Sequence, residues 1–416
     1  MSPDRPLPLS PPPLNVIDRR LLPPEPGAGR RVVQRMGSVT VGVSLPRAWV
    51  AANRVGVGSR LRAESLRDGV LLLRPDTGRA PELRREVEAV AGEFPEHLFR
   101  RLIAAYVGGA SEIEINEPGG IREQTRGVLH AFLRRTGGNE ILSEERERLT
   151  VRDVAAGAPL PLPKIGHRMH QVVAELFEDA GRSWESRRTG APQNWSARDD
   201  EVDRHAWLVQ RILTRRVARG EFGAPADEDG LTPLDWLMLA RSLERIADHA
   251  VLIGETGARL ADLAAPAAQL RSIAAFQKQA EELLRGAGLA VERADAKAAN
   301  DLLDTGEALH QTCTTLHDRL FPTSATGSLT PAVAVLLGRL LQSIDRVVSY
   351  TQDLAEVALA RGLAVGRHAA ESTLAAQPVM SHDLPQRNQR GERMNEKGNR
   401  APSPNATSVR RGSPRA

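Results

Sequence analysis

Four acidic residues stand at helical spacing in two separate segments of the chain. Asp199 and Asp203 are four residues apart, and so are Glu244 and Asp248. At about 100° per residue, each pair lies one turn apart on the same face of a helix. Like charges at this spacing destabilise a helix by roughly a few tenths of a kcal/mol, so facing pairs favour a cation between them.

Two kinds of cation fit this pattern of carboxylates. A hard divalent or trivalent metal ion takes oxygen ligands of this type. Arginine side chains would neutralise the same charges, and four arginines are adjacent in the sequence: Arg198, Arg204, Arg241 and Arg245. The residue types and their spacing leave both alternatives open.

The second acidic pair is predicted to lie beside an apolar seam, because apolar residues surround it at the i, i+3, i+4 spacing of a buried helix face. They are Leu239, Leu243, Ile246, Ala250 and Ile253. The chain has 3% aromatic residues, which favours helices packed through aliphatic side chains over a β-sandwich. We predict a mainly α protein with helices near residues 166–184, 196–219, 232–260, 266–288, 291–320 and 329–361.

An internal repeat relates the two halves of this helical region. At an offset of 101 residues, Asp203 aligns with Asp304 and Glu244 with Asp345. One offset shared by two separate segments indicates duplicated structural units. The prediction is a tandem of three-helix bundles, at residues 166–262 and 266–362.

Two smaller modules are predicted before the helices. Residues 31–77 contain two Val-rich strands, a short helix opened by Pro46, and two more strands around a turn at 67–69. Residues 81–155 form a small α/β module with helices at 86–109 and 121–138 and strands at 111–116, 140–145 and 148–154. The sequence indicates no role for this second module.

Charge is segregated along the chain, although the net charge is only +4. Residues 31–77 hold eight arginines against three acids, a net charge of +5, whereas residues 78–386 carry −8. Three arginines of the basic module, Arg31, Arg35 and Arg47, are candidates for contacts with nucleic-acid phosphates; ordinary surface arginines are the alternative. The Pro-rich leader 1–29 and the basic tail 367–416 are predicted to be disordered.

Several classes of protein are disfavoured by what the sequence lacks. It has a single cysteine, Cys313, and hence no internal disulfide. It contains no apolar run of the ~18 residues that span a bilayer and no secretion signal, so we expect a cytoplasmic protein. No P-loop, G-x-S-x-G, H-E-x-x-H or C-x-x-C motif is present, and we expect no catalytic residues.

The remaining histidines and tryptophans of the helical region are assigned structural roles. The Glu-x-x-His spacing of a di-iron bundle is absent. We expect His205 and His249 to make local hydrogen bonds. Trp207 and Trp236 are expected to anchor the core.

Residues 31–77 resemble the AbrB/SpoVT-type swapped-hairpin domain. The resemblance is carried by RRVVQRMGSVTVGVSLPRAWV, followed by GVGSRLRAE and DGVLLLRP. In that family two chains interleave their strands into one small barrel, and arginines on one face contact DNA. The resemblance implies a homodimer and DNA binding.

Residues 166–361 resemble the PhoU family of phosphate-uptake regulators, through ARDDEVDRHAWLVQRIL and LARSLERIADHAVLIGE. The family pattern is two three-helix bundles with E/D-x-x-x-D motifs that bind metal ions. Carried over by position, Asp199 and Asp203 form the first motif and Glu244 and Asp248 the second. In the second repeat Asn300 and Ser349 replace two of the acids, which leaves a weaker candidate site at Asp304 and Asp345.

This resemblance implies negative regulation of phosphate transport and signalling, through contact with a phosphate transporter or a phosphate-sensor kinase. It leaves the metal open among iron, zinc, manganese and magnesium. Two alternatives stand beside it. One is a metal-dependent enzyme or metal-storage protein built on the helices, and the other is a structural dimer that does not bind DNA.

Overall fold

A computed structural model of the protein describes residues 30–37, 39–65, 70–76, 83–154, 161–185, 195–218, 231–263, 265–321 and 329–375. The fold is mostly helical with a small β-containing N-terminal region, which confirms the predicted fold class. The predicted leader 1–29, the turn at 67–69 and residues 376–416 of the predicted tail lie outside the described residues. None of the helices within those ranges is long and apolar enough to cross a lipid bilayer.

Six long helices form the body of the protein. They are α4 (Leu162–Glu185), α5 (Trp195–Ala218), α6 (Pro233–Asp262), α7 (Ala267–Arg293), α8 (Ala296–Leu320) and α9 (Pro331–Ala375). Helices α5 and α8 begin at residues 195 and 296, which reproduces the 101-residue offset of the sequence repeat. Each repeat therefore contributes three helices, as predicted.

The predicted start of the disordered tail at residue 367 is wrong, because α9 continues to Ala375. The segment RHAAESTLA contains neither proline nor glycine, and alanine, leucine, glutamate and arginine are good helix formers. Gly366 is therefore followed by good helix formers, and the helix continues through it.

One apolar core runs through both helical repeats, from Leu162 on α4 to Ala358 on α9. The predicted α6 seam belongs to it: Leu239 is 5% exposed, and Leu243, Ile246, Ala250 and Ile253 are at most 1% exposed. Helix α6 starts at a capping box, in which the Thr232 side chain accepts from the Asp235 backbone and the Asp235 side chain accepts from the Thr232 backbone.

The α/β module has a core of its own. Its elements are β5 (Arg84–Glu88), α2 (Pro95–Val107), β6 (Glu112–Asn116), α3 (Glu123–Arg135), β7 (Asn139–Glu144) and β8 (Arg148–Asp153). The strand order is β5-β6-β8-β7, and β5 pairs in parallel with β6. A parallel pair needs a crossover connection, and α2 supplies it.

The predicted helix at 86–109 is wrong in its first part. Residues 84–88 form strand β5, with Val87 buried and its neighbours exposed, and the helix begins only at Pro95. The segment RREVE has one apolar residue, Val87, and therefore lacks the apolar–polar alternation that would have indicated a strand. Proline at the first position of α2 marks the true start of the helix.

The N-terminal module consists of β1 (Gln34–Arg35), β2 (Val41–Gly42), α1 (Arg47–Ala52), β3 (Leu61–Ser65) and β4 (Leu71–Pro75). Strands β1 and β2 are shorter than predicted, and the two hairpins form separate two-stranded sheets. None of the described residues between 30 and 76 is buried. Five apolar side chains are 62% to 91% exposed: Val32, Val33, Met36, Val39 and Val41.

A buried arginine of α5 joins the helical body to the α/β module. The Arg211 side chain is 4% exposed, and its Nη2 lies 2.6 Å from Asp153 Oδ2. It also donates to the backbone oxygens of Tyr106 and Ala110. Arg215 pairs with the same carboxylate at 2.8 Å, so Asp153 is held between two cations of α5.

We predict that Arg211→Ala lowers the free energy of unfolding by about 3 to 5 kcal/mol, because it leaves the buried Asp153 carboxylate short of one partner. Arg168→Ala is the matched control. Its ion pair with Glu201 spans a similar 2.8 Å, but the arginine side chain is 51% exposed, and such a pair contributes at most about 1 kcal/mol. Urea unfolding followed by circular dichroism measures both variants. If the two variants lose the same free energy of unfolding, the buried ion pair stabilises the protein no more than the exposed one.

Candidate functional site: an acidic cluster on the first helical repeat

Helices α5 and α6 pack against each other and bring together the four carboxylates predicted for the first repeat. We call Asp199, Asp203, Glu244 and Asp248 the acidic cluster. Its members lie close enough to alter one another's ionisation: Asp203 and Asp248 act on Asp199, and Glu244 and Asp248 act on Asp203. The i, i+4 spacing on two facing helices therefore produces the juxtaposition that the sequence predicted.

Three carboxylates of this cluster, those of Asp199, Asp203 and Glu244, are partly buried and have shifted pKa values, whereas Asp248 is exposed. Burial, followed by the charges of Asp203 and Asp248, raises the pKa of Asp199 to about 7. Burial also raises the pKa of Asp203 to about 6, although Arg135 acts in the opposite direction. For Glu244, burial and the charge of Asp248 raise the pKa. Ionising all these groups near neutral pH is costly unless a cation offsets the charge.

Two carboxylate oxygens of the cluster are buried without a hydrogen-bond partner. They are Oδ1 of Asp199 and Oε2 of Glu244. Weak ion pairs partly compensate Glu244, with Arg245 Nε at 3.5 Å and Arg241 Nη1 at 3.9 Å. A buried acceptor without a donor is unfavourable, so these oxygens have the character of ligand atoms for a cation.

Besides Arg241 and Arg245, which were predicted and lie beside Glu244, a cation from the α/β module reaches the cluster. Arg135, the last residue of α3, has Nη2 at 2.9 Å from Asp203 Oδ2 and 2.5 Å from Asp200 Oδ1. The sequence analysis did not anticipate this contact, since residues 135 and 203 are far apart along the chain. Of the predicted arginines, Arg198 pairs with Asp179 at 2.6 Å instead.

Two aromatic rings hold the Arg135 guanidinium in place. Its Cζ lies 5.2 Å from the centroid of the Trp207 ring and 5.6 Å from that of Phe99. The rings themselves are in edge contact, with centroids 6.2 Å apart. Trp207 was predicted to anchor the core of the helical body, but it packs on the core of the α/β module instead. Trp236 is buried in the helical core as expected.

One stripe of α5 carries all these contacts to the α/β module. Asp203, Trp207, Arg211 and Arg215 follow one another at four-residue intervals, which keeps them on one side of the helix. The sequence shows this side of α5 as one aromatic and three charged residues at regular spacing. It does not show which module packs against them.

The residue types of the acidic cluster suit a metal ion, but the present arrangement of their side chains does not. Oxygen donors, partial burial and orphaned acceptors suit a hard cation. Within the described residues, however, no three His, Cys, Asp or Glu side chains converge closely enough to hold a metal ion. Arg135 lies against Asp203, one of the predicted ligands, so the guanidinium and a metal ion would compete for it.

The two histidines beside the cluster differ in their contacts. His205 donates from Nδ1 to the backbone oxygen of Glu201 at 2.8 Å, as predicted. The prediction for His249 is wrong, because its Nδ1 is buried without a hydrogen-bond partner. Its ring lies 5.9 Å from that of Tyr350 on α9. Burial lowers the pKa of both imidazoles.

The second repeat has a different polar arrangement at the equivalent place. Asp304 is exposed, and Asp345 Oδ1 accepts a 2.6 Å hydrogen bond from His310. The other ring nitrogen of His310 lies 2.9 Å from Oε1 of Gln352, and both nitrogens donate together only when the imidazole is protonated. Although burial opposes it, these two hydrogen bonds raise the pKa of His310. The weaker pair of predicted ligands thus includes an aspartate that already has an imidazole partner.

Arg31, Arg35 and Arg47, the nucleic-acid candidates, are all exposed on the N-terminal module. Their exposure is compatible with phosphate contact and with an ordinary charged surface. The contacts described for the module do not distinguish the two interpretations.

Comparison with known proteins gives a domain assignment for the region around the acidic cluster. Residues 167–256 match the PhoU domain. This stretch runs from α4 into α6 and contains all four carboxylates of the cluster. The crystal structure of PhoU from Pseudomonas aeruginosa matches with 19% sequence identity and a TM-score of 0.43, over 48% of this chain and 93% of that chain. No curated protein matches the sequence.

Proposed function

We propose that this protein regulates phosphate uptake and phosphate homeostasis. The observation that carries the proposal is the PhoU-domain match over residues 167–256, which coincides with the three helices of the first repeat.

The proposed partner is a phosphate transporter or a phosphate-sensor kinase, and the proposed effect is negative control. Residues 78–386 carry a net charge of −8, so a partner surface with exposed basic residues would be attracted to the helical body. Binding of this kind weakens as ionic strength rises. In this proposal the acidic cluster is part of the contact surface.

We propose further that a divalent or trivalent metal ion binds the acidic cluster when Arg135 is displaced. Asp199, Asp203, Glu244 and Asp248 would hold it, and the ion would supply positive charge to the two orphaned oxygens. The α/β module then has a role that the sequence did not indicate. In this proposal the Arg135 guanidinium of the α/β module occupies the cluster whenever the metal ion is absent.

The N-terminal module is proposed to dimerise the chain. Its valines are exposed, and among the residues that the structure describes between positions 30 and 76 none of known burial is buried, so this described part has no core. Two-stranded sheets of this size are marginal in isolation, and a second copy of the module would cover the apolar side chains. The net charge of +5 on residues 31–77 supports a further proposal, that the assembled module binds DNA.

Deleting the gene should raise phosphate uptake in the organism that carries it, since the proposed control is negative. Uptake of radiolabelled phosphate measures this. Wild-type protein should restore control, and the Asp199→Asn/Asp203→Asn double variant should not. Glu255→Gln, which changes an exposed acid of α6 outside the cluster, is the matched control and should restore it. Unchanged uptake after deletion would refute the regulatory role.

Arg135→Gln should tighten binding of Mn²⁺ by roughly tenfold, equivalent to about 1.4 kcal/mol, because the competing charge is removed. Isothermal titration of the full chain measures the affinity. Arg134→Gln is the matched control, since it removes an exposed arginine from the preceding position. Asp203→Asn should weaken binding. If Arg135→Gln and Arg134→Gln bind Mn²⁺ equally well, guanidinium and metal do not compete.

Removing residues 1–76 should convert a dimer into a monomer, because the proposed interface is removed whole. Light scattering after size-exclusion chromatography gives the mass, and circular dichroism checks that the helices are retained. The truncated chain should also lose DNA binding, whereas the full chain should bind with an affinity that falls steeply with salt. A truncated protein that remains dimeric would overturn the dimer proposal.

A further inference from the structure

A cavity of about 600 Å³ in the second repeat is lined by a thiol, two imidazoles and a carboxylate. Cys313, His310 and His317 belong to α8, and Asp345 belongs to α9. The three residues of α8 stand at positions i, i+3 and i+7, which keeps them on one side of the helix. Sulfur, nitrogen and oxygen donors of these types are the ligands that zinc takes in proteins.

The position of the hydrogen on the His310 ring is set by Gln352. The amide nitrogen of Gln352 donates to the backbone oxygen of Leu303 at 3.3 Å, so its Oε1 is the atom that lies 2.9 Å from Nε2 of His310. Because an amide oxygen only accepts, Nε2 carries a hydrogen. Gly306 on α8 makes room for this amide, since a Cβ atom there would lie 2.7 Å from Cδ of Gln352.

This assignment leaves Nδ1 of a neutral His310 as an acceptor that faces another acceptor. Nδ1 lies 2.6 Å from Oδ1 of Asp345. A nitrogen lone pair and a carboxylate oxygen repel each other at this distance unless a cation joins them. A proton on Nδ1 meets this need in the present arrangement, and a metal ion bound to both atoms would meet it equally.

The thiol of Cys313 is held at the same carboxylate. It hydrogen-bonds to the Asp345 side chain, and burial together with the charge of Asp345 raises the pKa of the thiol to about 12. The thiol is therefore protonated at neutral pH, but a coordinating metal ion deprotonates a thiol outright. Asp345 thus gathers an imidazole nitrogen and a sulfur atom around one carboxylate group.

We propose that His310 Nδ1, Cys313 Sγ and the Asp345 carboxylate bind a zinc ion, with His317 as the fourth ligand. The ion displaces the proton of the thiol and, where the imidazole is protonated, the proton on Nδ1, and both protons pass to solvent. Its two positive charges balance the thiolate and the carboxylate. Gln352 continues to accept from Nε2 of His310, as acceptors behind metal-bound imidazoles commonly do.

Binding requires two side chains to rotate, because no three His, Cys, Asp or Glu side chains in the described part of the chain now converge on one point. His317 is 62% exposed, and both His317 and Cys313 border the cavity, so their rotation leaves the core packed. The proposed ligands differ from the pair Asp304 and Asp345 that the sequence indicated. Nitrogen and sulfur donors also suit a softer ion than the all-oxygen acidic cluster does.

Titration of the full-length, reduced protein with Co²⁺, the spectroscopic substitute for Zn²⁺, tests the proposal. A thiolate bound to cobalt gives a charge-transfer absorption band that oxygen ligands do not give. Since Cys313 is the single cysteine of the chain, this band reports on the proposed site alone. It should saturate at one Co²⁺ per chain and disappear when one equivalent of Zn²⁺ is added.

Four variants complete the test, each checked for folding by circular dichroism. Cys313→Ser should lose the band, and His310→Gln should weaken cobalt binding at least tenfold. His130→Gln, which changes an exposed histidine of α3, is the matched control and should bind cobalt as the wild type does. Asp203→Asn should also keep the band, because the acidic cluster is a separate site.

Two outcomes would overturn the zinc proposal. One is the absence of a thiolate band in the wild-type protein at saturating Co²⁺. The other is equal cobalt affinity in folded His310→Gln and His130→Gln proteins. Neither outcome bears on the regulatory role or on metal binding at the acidic cluster, which the uptake and Mn²⁺ measurements test independently.

Discussion

Repulsion among partly buried carboxylates is the constraint on which the centre of this molecule depends. Helices α5 and α6 bring three of them, Asp199, Asp203 and Glu244, together with the exposed Asp248, and the raised pKa values of Asp199 and Asp203 reflect the missing solvation. Such a cluster cannot be fully ionised without a counter-charge. Arg135 provides one from another module, and the competition with metal ions that we propose follows from this arrangement.

Helix α5 serves two modules at once. Its apolar residues, such as Val202 and Val209, are in the core of the helical body, while its stripe of Asp203, Trp207, Arg211 and Arg215 contacts the α/β module. The contacts along the stripe differ in kind: a partly buried ion pair at one end, an edge contact between aromatic rings in the middle and a buried ion pair at the other. Removing one partner of the buried pair is the most costly of these changes.

The modules also differ in how completely they bury their apolar residues. The helical body and the α/β module each have a core, whereas the described part of the N-terminal module exposes its valines. Burial of apolar surface contributes roughly 25 cal/mol per Å², and this module gains little of that within one chain. In our dimer proposal, a second copy of the module buries these apolar side chains.

The sequence alone determined those features that depend on local periodicity. The six helices, the seam of α6 and the pairing of Asp199 with Asp203 and of Glu244 with Asp248 follow from spacings within a few turns of one helix. The 101-residue repeat follows from one offset shared by two segments. The sequence also anticipated that these pairs need a cation, and it left open whether that cation is a metal ion or an arginine.

Only the tertiary structure showed that Arg135 reaches the cluster, because this arginine arrives through the packing of a separate module on α5. It also placed Trp207 at that interface and put residues 86–88, the start of a predicted helix, into a strand paired to β6. Contacts between residues far apart in sequence leave no periodic trace, and a strand gains its stability from a partner elsewhere in the chain. These features became visible only when the elements were packed together.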